Sequence, residues 1–297
     1  MKNKIVIAGG TGNLGQKIIK SLLKQGAEVH AIVRSSSDKL ILDELNKMGV
    51  QVLTVNMNSP SEIISACTGA RCVVSAVAGL HETIVDMQSL LLEAALAAGV
   101  PHFIPSDFCC DFTRVKAGDN RNLDFRRVFN ARLDKTSIAA TSIFCGAFTD
   151  ILGYNTPFYN LKDYSVSYWG DNANWKVDFT TIDNTADYTA AVAMDPKAPR
   201  YLLIASFQVS AHGLAWLGEE IKSKSFKLIP MGSLDDFAAY NKRERAANPS
   251  GENELYPAWQ NNQYLHSMFS VHNEMQDNFR YPHVKWESAW DVLEKIN

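Results

Sequence analysis

IVIAGGTGNLGQKII (residues 5–19) decides the fold. An apolar run of strand length ends in three glycines at a spacing of three, Gly9, Gly12 and Gly15, and a helical pattern follows. Leu14, Ile18 and Leu22 recur every fourth residue, Ile19 and Leu23 join them on one face, and Gly26 stops the run. Glycine at such a junction allows a tight turn with positive φ, lets the backbone approach a pyrophosphate, and lets the helix lie close on the strand. The helix N-terminus then offers free amides and a partial positive charge to phosphates. The segment lacks the GK[ST] ending of a triphosphate-binding loop.

The same grammar continues outward. Strand-like runs occur at EVHAIV, VQVLTV, RCVVSAV, HFIP and SIAATSIF, and helical patterns at DKLILDELNKMG and ETIVDMQSLLLEAALAAG each close on glycine. Strands alternating with helices of this length imply right-handed crossovers and a parallel sheet covered on both faces. The expected fold class is α/β, a doubly wound parallel-sheet Rossmann fold over residues 1–150. Beyond residue 150 aromatics and turn residues crowd into GYNTPFYNLKDYSVSYWGDNANW. Residues 151–297 are read as a smaller C-terminal α/β lobe for substrate, with a helix within 180–196 packing back on the first lobe. YLLIASFQVS is read as one strand, and helices are expected near 211–222, 234–246 and 287–296.

Arg34 stands 19 residues after Gly15, at the end of the second apolar run. An acid there would accept from the ribose 2′-hydroxyl of NAD and repel a 2′-phosphate. Arginine does the opposite, offering a planar fork to phosphate oxygens. Ser35 adds a hydroxyl and Lys39 a second cation, so NADP(H) is the expected cofactor. Thr11, Asn13 and Leu14 complete the loop expected to face it.

Composition sets the remaining bounds. The 297 residues are 46% hydrophobic and 21% charged, enough for a large core. The formal net charge of -3, from 32 acidic and 29 basic residues, offers nucleic acid no basic footprint and an anionic membrane no polybasic segment. The apolar runs are too short for a membrane span. Five cysteines without CxxC spacing suggest reduced thiols, a cytoplasmic setting and no metal.

With GGTGNLG, Arg34, HFIPSDF (102–108), NELYP (253–257) and RYPHVKWES (280–288), the chain resembles the NmrA-like/isoflavone reductase-like group of atypical short-chain dehydrogenases. The resemblance implies NADPH on the first lobe and a small-substrate pocket closed by the second. It also implies that Val74, Ser75, Ala76 and Val77 run beside the cofactor, and that Asn56 and Met57 lie near its adenine. Members that reduce phenylpropanoid-type substrates carry a lysine on the helix after the PSEF-like segment. Alignment on SIAATSI puts Arg126 there, within RNLDFRRVFNARL, and a shift of one residue would promote Arg127. Lysine can relay a proton; arginine effectively cannot. Arg126 either holds an acceptor oxygen or a ribose by hydrogen bonds, or is an ordinary helix arginine.

The Tyr–Lys pair of conventional short-chain dehydrogenases is absent from its usual region. Its spacing occurs at Tyr281 and Lys285, where Pro282 spoils a helix. Proton donors must then come from elsewhere. His81, after the fourth strand, titrates in the right range, or is merely a loop histidine. Asp107 either orients a water or the Arg126 fork, or caps a short helix. Tyr154, Phe158, Tyr159 and Tyr164 either wall an aromatic substrate or fill a core. Two functions stay open. One is an NADPH-dependent reductase of a small carbonyl, quinone or activated alkene. The other is a non-catalytic NADP(H) sensor acting through a protein partner, favoured by loss of the lysine and of the Tyr–Lys pair.

Overall fold

Ile5, Val6 and Ile7 are wholly buried and Ala8 nearly so, the pattern of a strand covered on both faces. The computed structural model describes residues 3–296; Met1, Lys2 and Asn297, which the expected lobes included, lie outside it. The main sheet is built from β1 (Lys4–Ala8), β2 (Glu28–Val33), β3 (Gln51–Thr54), β4 (Cys72–Ser75), β5 (His102–Ile104) and β6 (Ala139–Ala140). Their spatial order is β3-β2-β1-β4-β5-β6, and every pairing is parallel. Ala8 is opposite Ile32 on one side and Ser75 on the other. The order reverses between β1 and β4, which opens a crevice at the carboxyl ends of those two strands.

The helices are α1 (Asn13–Lys24), α2 (Lys39–Lys47), α3 (Pro60–Cys67), α4 (Gln88–Ala97), α5 (Arg121–Leu133) and α6 (Ile182–Met194), and a π-helical segment, Glu82–Met87, leads into α4. Side chains alternate across a strand. Val6, Ala8, Ile32, Val73 and Phe103 meet Ile63, Leu91, Leu92, Ala95 and Phe129 from α3, α4 and α5. Ile7 and Ala31, on the opposite face, crowd Gly10 together with Ile19 of α1. The expected doubly wound sheet is what the chain forms. The short helix α3 was not anticipated.

The chain divides into two compact units. The first holds residues 1–108, 125–143 and 185–202; the second holds 109–124, 144–184 and 203–297. Two runs read as single strands are broken. SIAATSIF forms β6 and then β7 (Ser142–Phe144), and YLLIASFQVS forms β12 (Tyr201–Leu203) and β13 (Phe207–Ser210). The break at Thr141 is a change of partner, because β6 pairs with β5 whereas β7 pairs with β12.

Further strands are β8 (Ala147–Phe148), β9 (Tyr159–Asn160), β10 (Ser165–Tyr168), β11 (Lys176–Thr180) and β14 (Lys227–Pro230). They make two small sheets, β14-β10-β9 and β13-β11-β8. Helices α7 (Ala211–Lys222), α8 (Leu234–Ala247), α9 (Ala258–Ser270) and α10 (Ala289–Glu294) follow, of which α9 was not anticipated. Phe158, Tyr159, Phe179, Phe226 and Phe269 form the centre of this unit's core. Phe158 and Tyr159 are thus core residues, Tyr164 meets Phe226 edge-on, and Tyr154 is exposed. No helix among the described residues is long and apolar enough to cross a membrane.

Candidate functional site

The turn after β1 is closed so tightly that two positions accept only glycine. Gly9 has φ +83°, and a Cβ there would lie 2.4 Å from the carbonyl oxygen of Ala76. A Cβ on Gly15 would lie 2.1 Å from the carbonyl oxygen of Gly9. That same oxygen accepts the Gly12 N–H at 3.0 Å. Gly12 itself has room, its nearest contact being 3.4 Å. It is the residue before α1, it supplies no side-chain cap, and no acid stands in the first turn. The N-terminus of α1 is therefore open and positive. Gly12 and Asn13 are exposed, and Thr11 and Leu14 half-buried.

Arg34 leaves the end of β2 exposed, with Ser35 beside it and Lys39 opening α2. Among the described residues no carboxylate pairs with either cation. Asp38, the nearest acid in sequence, accepts from the Leu40 N–H at 2.8 Å and caps α2. Asn56 follows β3, exposed, its side chain accepting from the Asn58 N–H at 3.0 Å. Met57 packs half-buried on the cluster between the sheet and α3.

At the end of β4 the Ser75 hydroxyl is wholly buried and without a hydrogen-bond partner. Ala76 donates to the Ala8 carbonyl at 2.8 Å, which holds the strand end against the glycine turn. The Val77 carbonyl accepts from the Ser106 hydroxyl at 2.6 Å, and Arg126 Nε donates to the Ser106 carbonyl at 3.0 Å. Ser106 thus ties Arg126 to the segment after β4. His81 opens the π-helical segment with half its side chain exposed. Its ring stands edge-on to Phe125, 5.5 Å between centroids, next in sequence to Arg126. Val77, His81 and Arg126 are brought to one edge of the first unit.

Asp107 is placed differently. It is wholly buried, and one oxygen accepts from Ser142 Oγ at 2.6 Å and from Asn130 Nδ2 at 2.9 Å. Arg200 donates to Ser142 Oγ at 2.7 Å and also to the Asn130 side-chain oxygen. Burial pushes the Asp107 carboxyl above its ordinary range, against the pull of Ser142, Asn130, Arg126 and Arg200. No helix begins at Asp107, so capping does not explain it; α5 starts at Arg121. Sequence reasoning missed Asn130, Ser142 and Arg200, which are ordinary polar residues until the fold gathers them. It also passed over Ser106, although the residue lies inside the quoted PSDF segment. Cys109 is buried with Phe112 and Phe144, and Cys110 packs half-buried against them. No cluster of three or more His, Cys, Asp or Glu side chains fit to hold a metal occurs among the described residues.

A parallel sheet that reverses beside a glycine-lined turn and an uncapped helix defines a Rossmann-type nucleotide-binding class. Residues 1–212 match the NmrA-like family, and the chain belongs to it. It is similar to the bifunctional pinoresinol-lariciresinol reductase of Forsythia intermedia, 26% identical over 99% of both chains. Among solved structures it resembles AtPrR2 with NADP+ and (+)pinoresinol, at a TM-score of 0.80 and 22% identity over 100% of this chain and 99% of that one. The leucoanthocyanidin reductase–NADPH complex from Vitis vinifera follows at 0.79 and 18% identity, over 99% of each. At these identities the structures speak for the fold.

Proposed function

We propose that this chain is an NADP(H)-dependent oxidoreductase that reduces a small carbonyl, quinone or activated alkene with an aromatic body. One observation carries the reading: the N-terminus of α1 has neither cap nor acid and stands behind a turn where Cβ atoms at 9 and 15 would strike backbone. Such a cradle suits a pyrophosphate. Arg34 and Lys39, without a carboxylate partner among the described residues, suit the additional 2′-phosphate. Relatives named for reducing pinoresinol and lariciresinol, and a neighbour holding NADP+, support the same reading.

When bound, the cofactor supplies a hydride. The chain's part is to hold and polarise. Gly9, Thr11, Gly12, Asn13, Leu14 and Gly15 would bind the pyrophosphate, and Arg34, Ser35 and Lys39 the 2′-phosphate. Asn56 and Met57 would flank the adenine, while Ser75, Ala76 and Val77 would run along the nicotinamide half. Arg126, its Nε fixed on the Ser106 carbonyl, would place a positive charge beside a developing oxyanion. His81 is half exposed and can exchange a proton with solvent. We assign nucleotide binding to the first unit and substrate selection to the second.

Fluorescence titration with NADPH, followed by turnover assays on quinones and aromatic aldehydes, tests the proposal. Catalytic loss of NADPH absorbance is expected. Tight binding of both oxidation states with no turnover on any acceptor would overturn the enzyme in favour of the NADP(H) sensor acting through a partner.

A further inference from the structure

His81 and Asp86 are five residues apart, a spacing that an α-helix sends to different faces. At 3.6 residues per turn, five residues advance about 1.4 turns, and the two side chains diverge. Glu82–Met87 is π-helical, however, and bonding from i to i+5 sets the fifth residue one turn above the first. The result is a hydrogen bond of 3.1 Å between His81 Nδ1 and Asp86 Oδ2. Single π-turns inside helices are frequent at functional sites.

The pair is anchored from α5. Asp86 Oδ1 lies 3.7 Å from Arg132 Nη1, and that nitrogen donates to Ser89 Oγ at 3.0 Å. Ser89 in turn donates to the Val85 carbonyl at 2.6 Å, inside the π-helical segment. Asp86 thus faces the imidazole from its own element, Arg132 of α5 faces Asp86, and the Phe125 ring, next in sequence to Arg126, stands edge-on to the imidazole. Half of the His81 side chain stays exposed.

A carboxylate oxygen accepts, so Nδ1 of His81 donates, and Nε2 is the nitrogen left for other partners. This is the base–orienter arrangement of histidine catalysis, with a carboxylate selecting the ring tautomer. We infer that Asp86 is a positioning residue that holds neutral His81 as the Nδ1–H tautomer, making Nε2 the atom that delivers the proton in the reaction proposed above, on which this inference rests. The step balances. The acceptor would take a hydride from bound reduced nicotinamide, and the imidazolium of His81 would give the resulting anion its Nε2 proton. The ring is left as the neutral Nδ1–H form that Asp86 favours, and water returns the proton.

The test uses ¹⁵N-labelled full-length protein. In long-range ¹H–¹⁵N spectra at alkaline pH, neutral His81 is expected as the Nδ1–H tautomer, reverting to Nε2–H in Asp86→Ala. Saturation with NADPH should move the His81 Cε1 resonance. With an accepted substrate, Asp86→Ala and His81→Gln should each lower kcat by about tenfold or more, with KM and NADPH affinity within about twofold. Combining them should cost no more than His81→Gln alone. An Nε2–H ring in the unaltered protein, an unmoved resonance despite NADPH binding, or unchanged kcat in Asp86→Ala overturns this inference alone. Failure to bind NADPH at all overturns the reductase reading, and the inference falls with it.

Discussion

An ideally placed Cβ on Gly15 stands 2.1 Å from the carbonyl oxygen of Gly9, closer than any side-chain carbon tolerates. The contact is with backbone, so no rotamer change relieves it. Gly15→Ala must push α1 off β1 or tilt the Gly9 carbonyl, which also accepts the Gly12 N–H. Overpacking of this kind costs about 1–3 kcal/mol. A fall in Tm of roughly 2–4 °C per kcal/mol is expected, with NADPH affinity lowered at least about tenfold. Gly12→Ala is the control: its nearest contact would be 3.4 Å, and the cost should stay below about 1 kcal/mol. Equal losses in the two variants would show that the close approach is not what the turn requires.

Arg34 is exposed, with no carboxylate partner among the described residues. Its replacement therefore disturbs no internal ion pair, and binding can be read without a folding defect. A charge-assisted bond is worth about 1.5–3 kcal/mol. Arg34→Asp should raise the NADP Kd by roughly tenfold to a hundredfold and leave NAD within about twofold. Parallel titrations of the two nucleotides decide it, and equal weakening of both would remove the 2′-phosphate from the role of Arg34.

Much of the first unit was legible because its signals are local. The β1 turn, the fourfold apolar spacing of α1 and the arginine after β2 each declare themselves within a few residues. The break at Thr141 was not legible, since threonine favours strands and only tertiary pairing turns the chain from β5 to β12. Helix α9 was hidden by polarity. Gln260, Gln263 and Ser267 are buried beside Leu265, Met268 and Phe269, so polar side chains interrupt the apolar stripe of its inward face. The π-turn that joins His81 to Asp86 has no periodicity of its own to read. The same holds for Asp107, whose partners Ser142 and Asn130 lie 35 and 23 residues away.

Arg126 is tethered through Nε to the Ser106 carbonyl, and Ser106 is bonded to Val77. In the proposed reaction Arg126 serves the acceptor, so its loss should affect chemistry more than nucleotide affinity. Arg126→Ala is expected to lower kcat by roughly a hundredfold while the NADPH Kd changes less than about threefold. Arg126→Lys keeps the charge but loses the fixed fork, and should recover only part of the rate. Unchanged kcat in Arg126→Ala would exclude it from the mechanism.

Asp107 holds its proton more firmly in the folded protein than in the unfolded chain, because burial outweighs its hydrogen bonds and the nearby Arg126 and Arg200. Its share of stability is therefore complete in acid, below the ordinary aspartate range, and is lost as pH rises through the raised value. Asp107→Asn keeps an acceptor for both Ser142 and Asn130 and cannot ionise. Urea midpoints followed upward from pH 4 should fall more in the parent protein than in this variant. Asp107→Ala removes the acceptor that Ser142 and Asn130 share and should cost about 2–5 kcal/mol in acid, less as pH rises. Parallel pH profiles for parent and Asp107→Asn would show that the carboxyl does not ionise across that range.

His102 carries the opposite sign. It lies buried on β5, with Nε2 2.9 Å from Thr141 Oγ1. That hydroxyl already donates to the Pro199 carbonyl at 2.7 Å, so the ring nitrogen is the donor. Burial pushes the imidazole down from 6.5 to about 4, with Asp195 resisting and Arg71 adding to the fall. The unfolded chain takes up a proton near the ordinary histidine value that the folded protein refuses. Stability from His102 is thus full above that value and drains away as pH falls toward 4, by roughly 3 kcal/mol at 1.36 kcal/mol per unit. His102→Gln can still donate to Thr141 and has nothing to titrate. Its urea midpoint should decline less between pH 7 and 4.5 than that of the parent, and an equally steep decline would place the acid sensitivity elsewhere in the chain.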